Sequence, residues 1–388
     1  MALLCTFDKK NHMQGRPSRS GHYETFGEHT HFIPNPLPPI PALVLDKALV
    51  ELYGEAMESL GKFAEAQNRI PNKRQFLDVY IAKEAIFSSQ IENINTTLTQ
   101  VLEYRSKQKT ENKEVQEVWN YIDALNHGIT LMREHNLPIS SRLIRECHSK
   151  LLSGVRGESK SPGWYRKVPV FVGNLVPPPA HYINDLMGGL EKFIHEDSTM
   201  LPLIKIGLAH VQFETIHPFL DGNGRIGRLL MVLMMMDYGI INEPVLYPSF
   251  FFMKYRSEYY HRLEAVRTKS DYEGWIKYYL RGVKASSDDI VKRVRAIDAL
   301  LGNCNQKINS KSATFVKNAL IVLEQLCYTP VLSINDVASI TNSLYKTAQK
   351  LVESLVELGI LEKLDDKQRN KTYTFRKYLD ILEKEFTG

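Results

Sequence analysis

Residues 217–228 read His217-Pro-Phe-Leu-Asp221-Gly-Asn-Gly-Arg225-Ile-Gly-Arg228. Glycines at such positions let the backbone approach a ligand closely and adopt unusual dihedral angles. The stretch therefore predicts the end of one helix, a glycine-containing loop and the start of a second helix. The first amides of that second helix lack helical partners, and with the positive end of the helix dipole they form a site for an anion.

The polar side chains of this stretch suit polyphosphate chemistry. Asp221 supplies a hard oxygen ligand of the kind that Mg²⁺ prefers. Arg225 and Arg228 add positive charge beside the first helical turn. His217 is the side chain in this segment that exchanges a proton near neutral pH. One short segment thus combines a candidate base, a metal ligand and a phosphate cradle.

The residues around this segment predict a mainly α fold. From Leu43 onward, most of the chain carries apolar residues three and four positions apart. The helix that follows the loop, at about 225–238, is apolar nearly all round, so we expect it at the centre of the core. Before Leu43, closely spaced prolines favour an irregular, extended arm.

One segment departs from the helical pattern. Val168, Val170 and Val172 alternate with other residues, which predicts a short strand or β-hairpin. Pro169 cannot donate a backbone hydrogen bond, so the strand is expected at a sheet edge.

The C-terminal part has the pattern of a small separate unit beyond a helical connector that starts near Asp288. Helical patterns at 313–327, at 343–358 and after the capping pair Ser333 and Asp336 precede two apolar segments around a polar turn. This order predicts a winged-helix domain. The unit carries ten basic and ten acidic residues from 312 to 388. Because DNA binding normally requires a basic face, a protein contact is an equally good interpretation, and both stay open.

Composition narrows the class of protein. The 388 residues are 43% hydrophobic and 24% charged, with a net charge of +5. This small charge gives no reason to expect nucleic acid or an anionic membrane as a partner. The four cysteines form no CxxC pair, which favours a reducing compartment. The apolar run at 229–236 is too short to cross a bilayer, so we expect a cytoplasmic protein.

The segment 217–228 matches the signature of the Fic family, H-x-F-x-(D/E)-G-N-G-R-x-x-R, at every fixed position, and the chain resembles this family from about Ile94 to Val283. The resemblance implies a Fic-type helical core with a short β-hairpin flap. It also implies an adenylyltransferase that moves AMP from ATP to a Ser, Thr or Tyr hydroxyl of a protein, with the chain itself as one such target. We divide the chain into an N-terminal arm and helices (1–130), the catalytic core (131–287), and the connector with the winged-helix domain (288–388).

The resemblance further implies roles for individual residues. His217 would be the general base, and Asp221 would hold Mg²⁺. Val168, Val170 and Val172 would dock a target segment as an added strand. A glycine at position 224 favours nucleotidyl transfer, because related kinases of this fold have a lysine there. The nucleotide would be bound by Gly222, Asn223, Gly224, Arg225, Ile226, Gly227 and Arg228, with Tyr259 or Tyr260 near the adenine.

A second short pattern resembles the inhibitory element of the same family, (S/T)-x-x-x-E-(G/N). It reads Ser88-Ser-Gln-Ile-Glu92-Asn93, at the end of a helix predicted to start near Lys73. The resemblance implies that Glu92, with Ser88 on the same helix face, reaches Arg228. Its carboxylate would take the place of the γ-phosphate of ATP.

The same residues also fit other patterns. The glycines of the loop also fit a dinucleotide-binding fingerprint, but that fingerprint requires a preceding strand, and 203–216 is predicted to be a helix. His210, Glu214 and His217 have the spacing of helical metal ligands without a further ligand. A nucleotide-sensing transcriptional regulator, the removal of AMP, and transfer of another phosphate-containing group remain as alternatives. A homodimer is compatible with the sequence.

Overall fold

Helices form most of the computed structural model, which describes residues 18–67, 73–107, 112–197, 199–364 and 371–383. The prediction of a mainly α fold is confirmed. The strands are β1 (Gly21–Phe26), β2 (His29–Pro34), β3 (Val331–Ser333), β4 (Glu362–Lys363) and β5 (Thr372–Thr374). The helices are α1 (Lys47–Gln67), α2 (Lys73–Ile91), α3 (Leu98–Lys107), α4 (Lys113–Arg133), α5 (Ser141–Leu151), α6 (Ile183–His195), α7 (Pro202–Ile216), α8 (Asn223–Asp237), α9 (Pro248–Lys254), α10 (Arg256–Lys269), α11 (Tyr272–Asn309), α12 (Ala313–Tyr328), α13 (Ile334–Ile340), α14 (Tyr345–Glu357) and α15 (Arg376–Glu383).

The centre of the core is formed by α7 and α8, the helices on either side of the glycine loop. Residues 203–216 of α7 and residues 225–235 of α8 are all buried. This confirms that the helix apolar on all sides lies centrally. A methyl group at Gly207 would come within 2.7 Å of Ile276 Cδ1, so α7 and α11 approach too closely for a side chain there. The loop between two buried helices is therefore held rigidly.

Helix α2 begins at Lys73, as predicted, and lies against α4, α8 and α9. It ends at Ile91, and Asn93 has a left-handed backbone with φ 62°, a conformation that stops helices. Ser88 lies in the last turn, and Glu92 directly follows the helix. The candidate inhibitory pair is thus carried at the C-terminal end of a helix that is packed on the core.

The N-terminal region differs from the predicted irregular arm. Strands β1 and β2 form an antiparallel hairpin that pairs Gly21 with Pro34 and Phe26 with His29. The turn contains Gly27, with φ 59°. Aromatic and β-branched residues on both sides of this glycine carry the hairpin signal, which the following prolines obscured. The amide of Phe32 donates to the Val176 carbonyl at 2.9 Å, so the hairpin packs beside the segment predicted as the flap.

The segment 168–175 forms only part of the predicted strand or hairpin, because Val172 and Leu175 exchange two backbone hydrogen bonds at 2.9 Å whereas Val168 and Val170 lie outside any strand. It is an irregular segment with an isolated antiparallel bridge between Val172 and Leu175. Pro169 lacks an N–H group, and the carbonyl of Val168 accepts a hydrogen bond from the Arg166 side chain at 3.2 Å. Because these groups are unavailable to a neighbouring strand, a regular ladder does not form at this point.

Continuous helices run across both predicted domain boundaries. Helix α4 spans the position 130/131, and α11, which has 38 residues, spans 287/288. The helical connector is therefore the C-terminal half of α11. Helix α1 packs along α11, so the N-terminal and C-terminal parts of the chain meet on one long helix.

The C-terminal unit has the helices and strands that the sequence predicted. The capping box of Ser333 and Asp336 is present at the start of α13, which confirms that prediction. Gly359, with φ 65°, ends α14. Strands β3, β5 and β4 form an antiparallel sheet in that order. Most of the predicted polar turn, 365–370, lies outside the described residues. Helix α15, which was not predicted, returns to pack on α11.

Among the helices of the described residues, none combines the length and the apolar character that crossing a bilayer requires.

Candidate functional site

The site begins where α7 ends, at His217. This residue has a left-handed backbone, with φ 49° and ψ 62°, and its amide donates to the Phe213 carbonyl. The loop then runs to Gly222, which is also left-handed with φ 77°, and α8 starts at the next residue. Glycine tolerates this conformation without strain, whereas other residues do not. The two reversals place the histidine beside the N-terminus of α8.

The loop is closed by the side chain of Asn223. Its Nδ2 donates to the Phe219 carbonyl at 2.8 Å, and its Oδ1 accepts from the Phe219 amide at 2.8 Å. Both polar groups of the amide side chain are therefore engaged within the loop. This leaves the backbone amides at the start of α8 to face an anion.

Arg225 is fixed by two carboxylates. Its Nη1 lies 3.2 Å from Glu117 Oε2, and its Nη2 lies 3.9 Å from Asp221 Oδ1. Burial raises the pKa of Glu117 above its ordinary value, although the charge of Arg225 opposes this shift. Glu117 comes from α4, and no local pattern singled it out. Asp221 keeps its carboxylate about one-third exposed, with Oδ1 accepting the Gly222 amide at 2.6 Å.

Arg228 is bound by the end of α2. Its Nη2 donates to Glu92 Oε1 at 2.8 Å and to the Ser88 carbonyl at 2.9 Å, while its Nε donates to Ser88 Oγ at 2.9 Å. The expected contact between Glu92 and Arg228 is therefore present, whereas its inhibitory role stays a prediction. Burial raises the pKa of Glu92, but the charge of Arg228 and its hydrogen bond outweigh this effect and hold the pKa below its ordinary value.

The Glu92 carboxylate also lies against the loop. A methyl group built on Gly224 would come within 2.3 Å of Glu92 Oε1 and 2.9 Å of Arg228 Nη1. Glu92 therefore occupies the space directly over the first turn of α8. A carboxylate at this position meets the positive end of the helix dipole.

Two more carboxyl groups, those of Glu84 and Glu214, are buried near Arg228. Burial raises the pKa of Glu84 and of Glu214 to about 7 in each case, against the opposing charge of Arg228. Glu84 accepts a hydrogen bond from the Tyr121 hydroxyl at 3.2 Å. Within the described residues Glu214 Oε1 has no hydrogen-bond partner. Arg228 therefore lies among three carboxyl groups, of which Glu92 is the one in contact.

The turn at His217 is held by a buried arginine. Arg166 donates from Nε to the His217 carbonyl at 2.8 Å and from Nη2 to the carbonyls of Pro178, at 2.6 Å, and Ile216, at 3.3 Å. Its Nη1 reaches the Val168 carbonyl. One guanidinium thus ties the histidine turn to the flap segment 168–175. Burial lowers the pKa of Arg166 to about 10, so it remains charged at neutral pH.

His217 is neutral at physiological pH. Burial, with a further contribution from the charge of Arg166, lowers its pKa to about 4. Its Nδ1 is buried and has no hydrogen-bond partner of normal geometry within the described residues. Nε2 is therefore the ring nitrogen that is left to accept a proton from an incoming group.

A second histidine, His148, supports the loop from α5. Its ring stacks on Phe219 with 3.7 Å between ring centroids. The Gly163 amide donates to Nδ1 at 2.8 Å, so Nε2 carries the proton and donates to the Asp221 carbonyl at 2.9 Å. Burial lowers the pKa of His148 to about 4. His148 therefore positions the loop and does not itself face the site. The sequence around it did not indicate this role.

Tyr259 and Tyr260, the two candidate adenine contacts, have different environments. Tyr259 is 1% exposed, and its hydroxyl lies 2.8 Å from His210 Nε2. The ring of Tyr259 is therefore buried in the core, and because successive helical residues point about 100° apart, Tyr260 faces a different direction. Tyr260 is 41% exposed, and its hydroxyl reaches the Ile91 carbonyl at 3.4 Å. Arg256 adds a contact from α10 to Asn93 at 2.8 Å.

The predicted docking segment is joined to the histidine turn through Arg166. Val168 is 52% exposed, and Val170 and Val172 are half-buried. The ring of Phe171 contacts His29 of the N-terminal hairpin with centroids 5.1 Å apart. The N-terminal hairpin therefore packs against the flap segment. The sequence did not indicate this contact.

Profiles of known families match two regions of the chain. The profile described as Fic/DOC family N-terminal matches residues 50–130, and that of the Fic/DOC family matches residues 138–235. The chain is 30% identical over 174 residues to protein adenylyltransferase fic-1 of Caenorhabditis elegans, an overlap of 42% of this chain and 32% of that protein. It is 35% identical over 147 residues to protein adenylyltransferase Fic of Drosophila ananassae, which is 37% of this chain and 27% of that protein. The chain thus spans about a third of the length of these curated relatives.

Solved structures show the same fold. A Fic family protein from Desulfovibrio desulfuricans G20 superposes with a TM-score of 0.56 at 22% identity, covering 86% of this chain and 97% of that one. Fic-1 from C. elegans superposes with a TM-score of 0.50 at 21% identity, covering 63% of this chain and 72% of that one. These likenesses bear on the fold alone. The two profiles cover residues 50–130 and 138–235, so this part of the chain, which includes the loop 217–228, is similar to the Fic/DOC family.

Proposed function

We propose that the chain is a protein adenylyltransferase that moves AMP from ATP to a Ser, Thr or Tyr hydroxyl of a protein, including its own hydroxyls, and that Glu92 inhibits it. The observation that carries this proposal is the position of His217 beside the N-terminus of α8, within one rigid loop. A proton acceptor next to an anion site is what transfer of a phosphate-containing group to a hydroxyl requires. The names of the curated relatives support the same activity.

The loop suits the phosphates of ATP. The amides of Gly222, Asn223 and Gly224 and the following turn would bind the phosphate chain, with Arg225 and Arg228 beside it. Ile226 and Gly227 belong to the same buried first turns, and Tyr260 rather than Tyr259 would meet the adenine. The partly exposed Asp221 carboxylate suits Mg²⁺, whose other ligands would be phosphate oxygens and water. A bound Mg²⁺ would neutralise charge on the phosphates.

His217 would act on the target hydroxyl. With a pKa of about 4 the imidazole is unprotonated at neutral pH, so Nε2 can accept the hydroxyl proton as the oxygen attacks the α-phosphate. Pyrophosphate would leave from the opposite side, towards Arg228. Arg166 would hold the histidine turn and the flap in a fixed relative position. A target segment bound at Val168, Val170 and Val172 would then present its hydroxyl to His217 Nε2.

Inhibition would follow from competition for Arg228. A carboxylate and a phosphate bind guanidinium through the same donors, so Glu92 and the γ-phosphate exclude each other. Ser88 accepts two hydrogen bonds from Arg228, through its hydroxyl and its carbonyl, and these keep the guanidinium oriented towards α2. ATP would then bind with its α-phosphate turned away from attack.

The remaining assignments are part of the same proposal. Residues 1–130 would carry the inhibitory helix, 131–287 the catalytic core, and 288–388 a connector and a winged-helix domain. The C-terminal unit would recruit a protein target or support a homodimer, while DNA binding stays open because its balanced formal charge neither requires nor excludes it. We propose a reducing, cytoplasmic setting, in agreement with the free thiols of Cys147, Cys304 and Cys327.

The experiment uses ATP labelled at the α-phosphate or the γ-phosphate, with Mg²⁺ and a lysate, and compares the unmodified chain with Glu92→Gly and Glu92→Gly/His217→Asn. We expect protein-bound label from the α-position alone, strongest in Glu92→Gly and absent in the double variant. Label from the γ-position alone would replace adenylyl transfer by a kinase activity. If neither position gives protein-bound label and AMP is released from an adenylylated protein, the reverse reaction would replace the proposed transfer.

A further inference from the structure

A cavity of about 680 Å³ lies behind α2, away from the loop 217–228. It is bounded by α2, by the first turn of α3, by α9 and α11, and by the last turn of α15. This volume is typical of small-molecule sites. None of the residues assigned to the candidate active site lines it.

The floor of the cavity carries a buried lysine. Lys83 is 5% exposed, and its Nζ donates to the Leu382 carbonyl at 2.7 Å. Within the described residues it makes no ion pair. The nearby carboxylate of Asp289 is bound by Arg293 at 2.6 Å, and that of Glu383 accepts from Thr99 at 2.6 Å. Lys83 Nζ also lies 5.4–5.9 Å from the ring centroids of Tyr80, Phe87 and Tyr247. Burial lowers the pKa of Lys83 to about 7, so a bound anion would stabilise its protonated form.

Further donors surround this lysine. Arg293, which is 7% exposed, lines the same floor and donates to the Leu382 carbonyl at 3.1 Å. The start of α3 forms one wall with Thr96 and Thr97. Thr96 is 6% exposed, and its hydroxyl has no hydrogen-bond partner within the described residues. Amides at a helix start favour a negative charge, and the unpartnered hydroxyl adds a donor.

Much of the remaining lining is apolar. Ile86 and Phe87 of α2 and Phe250 and Met253 of α9 contribute to it. Such a surface holds the hydrocarbon part of a ligand, whereas inorganic phosphate would leave it in contact with water. The polar and apolar parts of the lining together define a ligand with a charged end and an apolar body.

We propose that this cavity is a binding site for a small organic anion, a phosphate monoester or carboxylate on an aromatic or aliphatic body, whose charged end contacts Lys83 and Arg293. The apolar body lies on Phe87 and Phe250. The site is separate from the proposed ATP site and does not depend on the proposed transferase activity.

The test is chemical labelling of lysines in the full chain, read by mass spectrometry at each residue. Acetic anhydride at neutral pH modifies unprotonated amines, and burial lowers the pKa of Lys83 to about 7, so it reacts readily if solvent reaches it. We expect millimolar phenyl phosphate to reduce acetylation of Lys83 at least about fivefold. Lys62, an exposed residue of α1 paired with Glu58, is the internal control and should be unaffected. Because the readout is local, phenyl phosphate bound at the loop 217–228 does not imitate this result.

Calorimetry supplies the second measurement. Phenyl phosphate should bind about tenfold tighter than inorganic phosphate, as burial of a phenyl ring predicts, and tighter than phenol. Lys83→Met should weaken its binding about tenfold. Absence of Lys83 labelling in the free chain would show that the ammonium group is not reached from the cavity, and would overturn the site. Equal labelling with and without phenyl phosphate would overturn it too, whether or not Lys83→Met folds.

Discussion

The carboxylate of Glu92 lies so close over Gly224 that a single methyl group there would come within 2.3 Å of its Oε1. The same Oε1 accepts a hydrogen bond from Arg228 Nη2 at 2.8 Å. Glu92 therefore holds the position at the start of α8 where both the helix amides and an arginine favour an anion. A γ-phosphate that uses Arg228 has to displace it.

Loss of the Glu92 charge is expected to raise activity. Glu92→Gly should increase incorporation of α-label about tenfold to a hundredfold, since a hydrogen bond between charged groups contributes about 1.5–3 kcal/mol. Glu92→Gln keeps the size of the side chain and should give a smaller increase. Steady-state rates at saturating ATP measure both. Equal rates for the unmodified chain, Glu92→Gly and Glu92→Gln would show that the contact between Glu92 and Arg228 does not limit the reaction.

The inhibitory contact should persist across the neutral pH range. The pKa of Glu92 lies below its ordinary value, so the contribution of its charge is present above that ordinary value and is lost as the pH falls through the lowered one. The ratio of Glu92→Gly activity to wild-type activity should thus stay constant between about pH 6 and 8. A ratio that changes markedly in this range would require another titrating group.

Replacement of His217 is expected to abolish transfer without unfolding the chain. His217→Asn is the suitable variant, because asparagine tolerates the left-handed backbone at φ 49°. In the Glu92→Gly background we expect a loss of about 10²–10⁴-fold in the rate and little change in melting temperature. Retention of more than a tenth of the rate would exclude His217 as the base.

The pH profile offers an independent check on His217. Its pKa is about 4, and the charge of Glu92 is one of the influences that raise it. In Glu92→Gly the acid limb of kcat/KM should therefore fall at or below about pH 4, and the profile should be flat from about pH 5.5 to 7.5. An acid limb near the ordinary histidine value of about 6.5 would contradict this assignment.

Arg166 is expected to matter for both stability and rate. Arg166→Met leaves four carbonyl contacts unmade and should lower the free energy of unfolding by about 3 kcal/mol or more. In the Glu92→Gly background kcat should fall more than the affinity for ATP. Lys167→Met, at the exposed neighbouring residue, is the matched control. Parallel losses in both variants would refute a specific role for Arg166.

The two adjacent tyrosines should behave differently. Tyr260→Ala removes an exposed ring and should raise the KM for ATP about tenfold, as loss of base stacking predicts, with an unchanged melting temperature. Tyr259→Phe breaks the buried hydrogen bond to His210 and should lower the melting temperature while KM stays constant. The opposite pattern would place the adenine against Tyr259.

Several elements were predictable because their signals are local. The apolar periodicity of α7 and α8, the capping pair of α13 and the start of α2 at Lys73 all depend on residues a few positions apart. The N-terminal hairpin had an equally local signal around Gly27, but the nearby prolines suggested an extended arm instead. The segment 168–175 showed the reverse error in part, since Val168 and Val170 lack a neighbouring strand to pair with.

The sequence by itself determined the helical class, the anion loop with His217 and Asp221, and the presence of Glu92 at a helix end, because each is written in contiguous residues. Only the tertiary structure decided which distant side chains complete the site. Glu117 meets Arg225 across 108 positions of the chain, and Arg166 reaches the His217 carbonyl across 51. It also decided that Tyr259 is buried in the core whereas Tyr260 is exposed. Burial and long-range pairing depend on how the helices pack, and no local pattern records them.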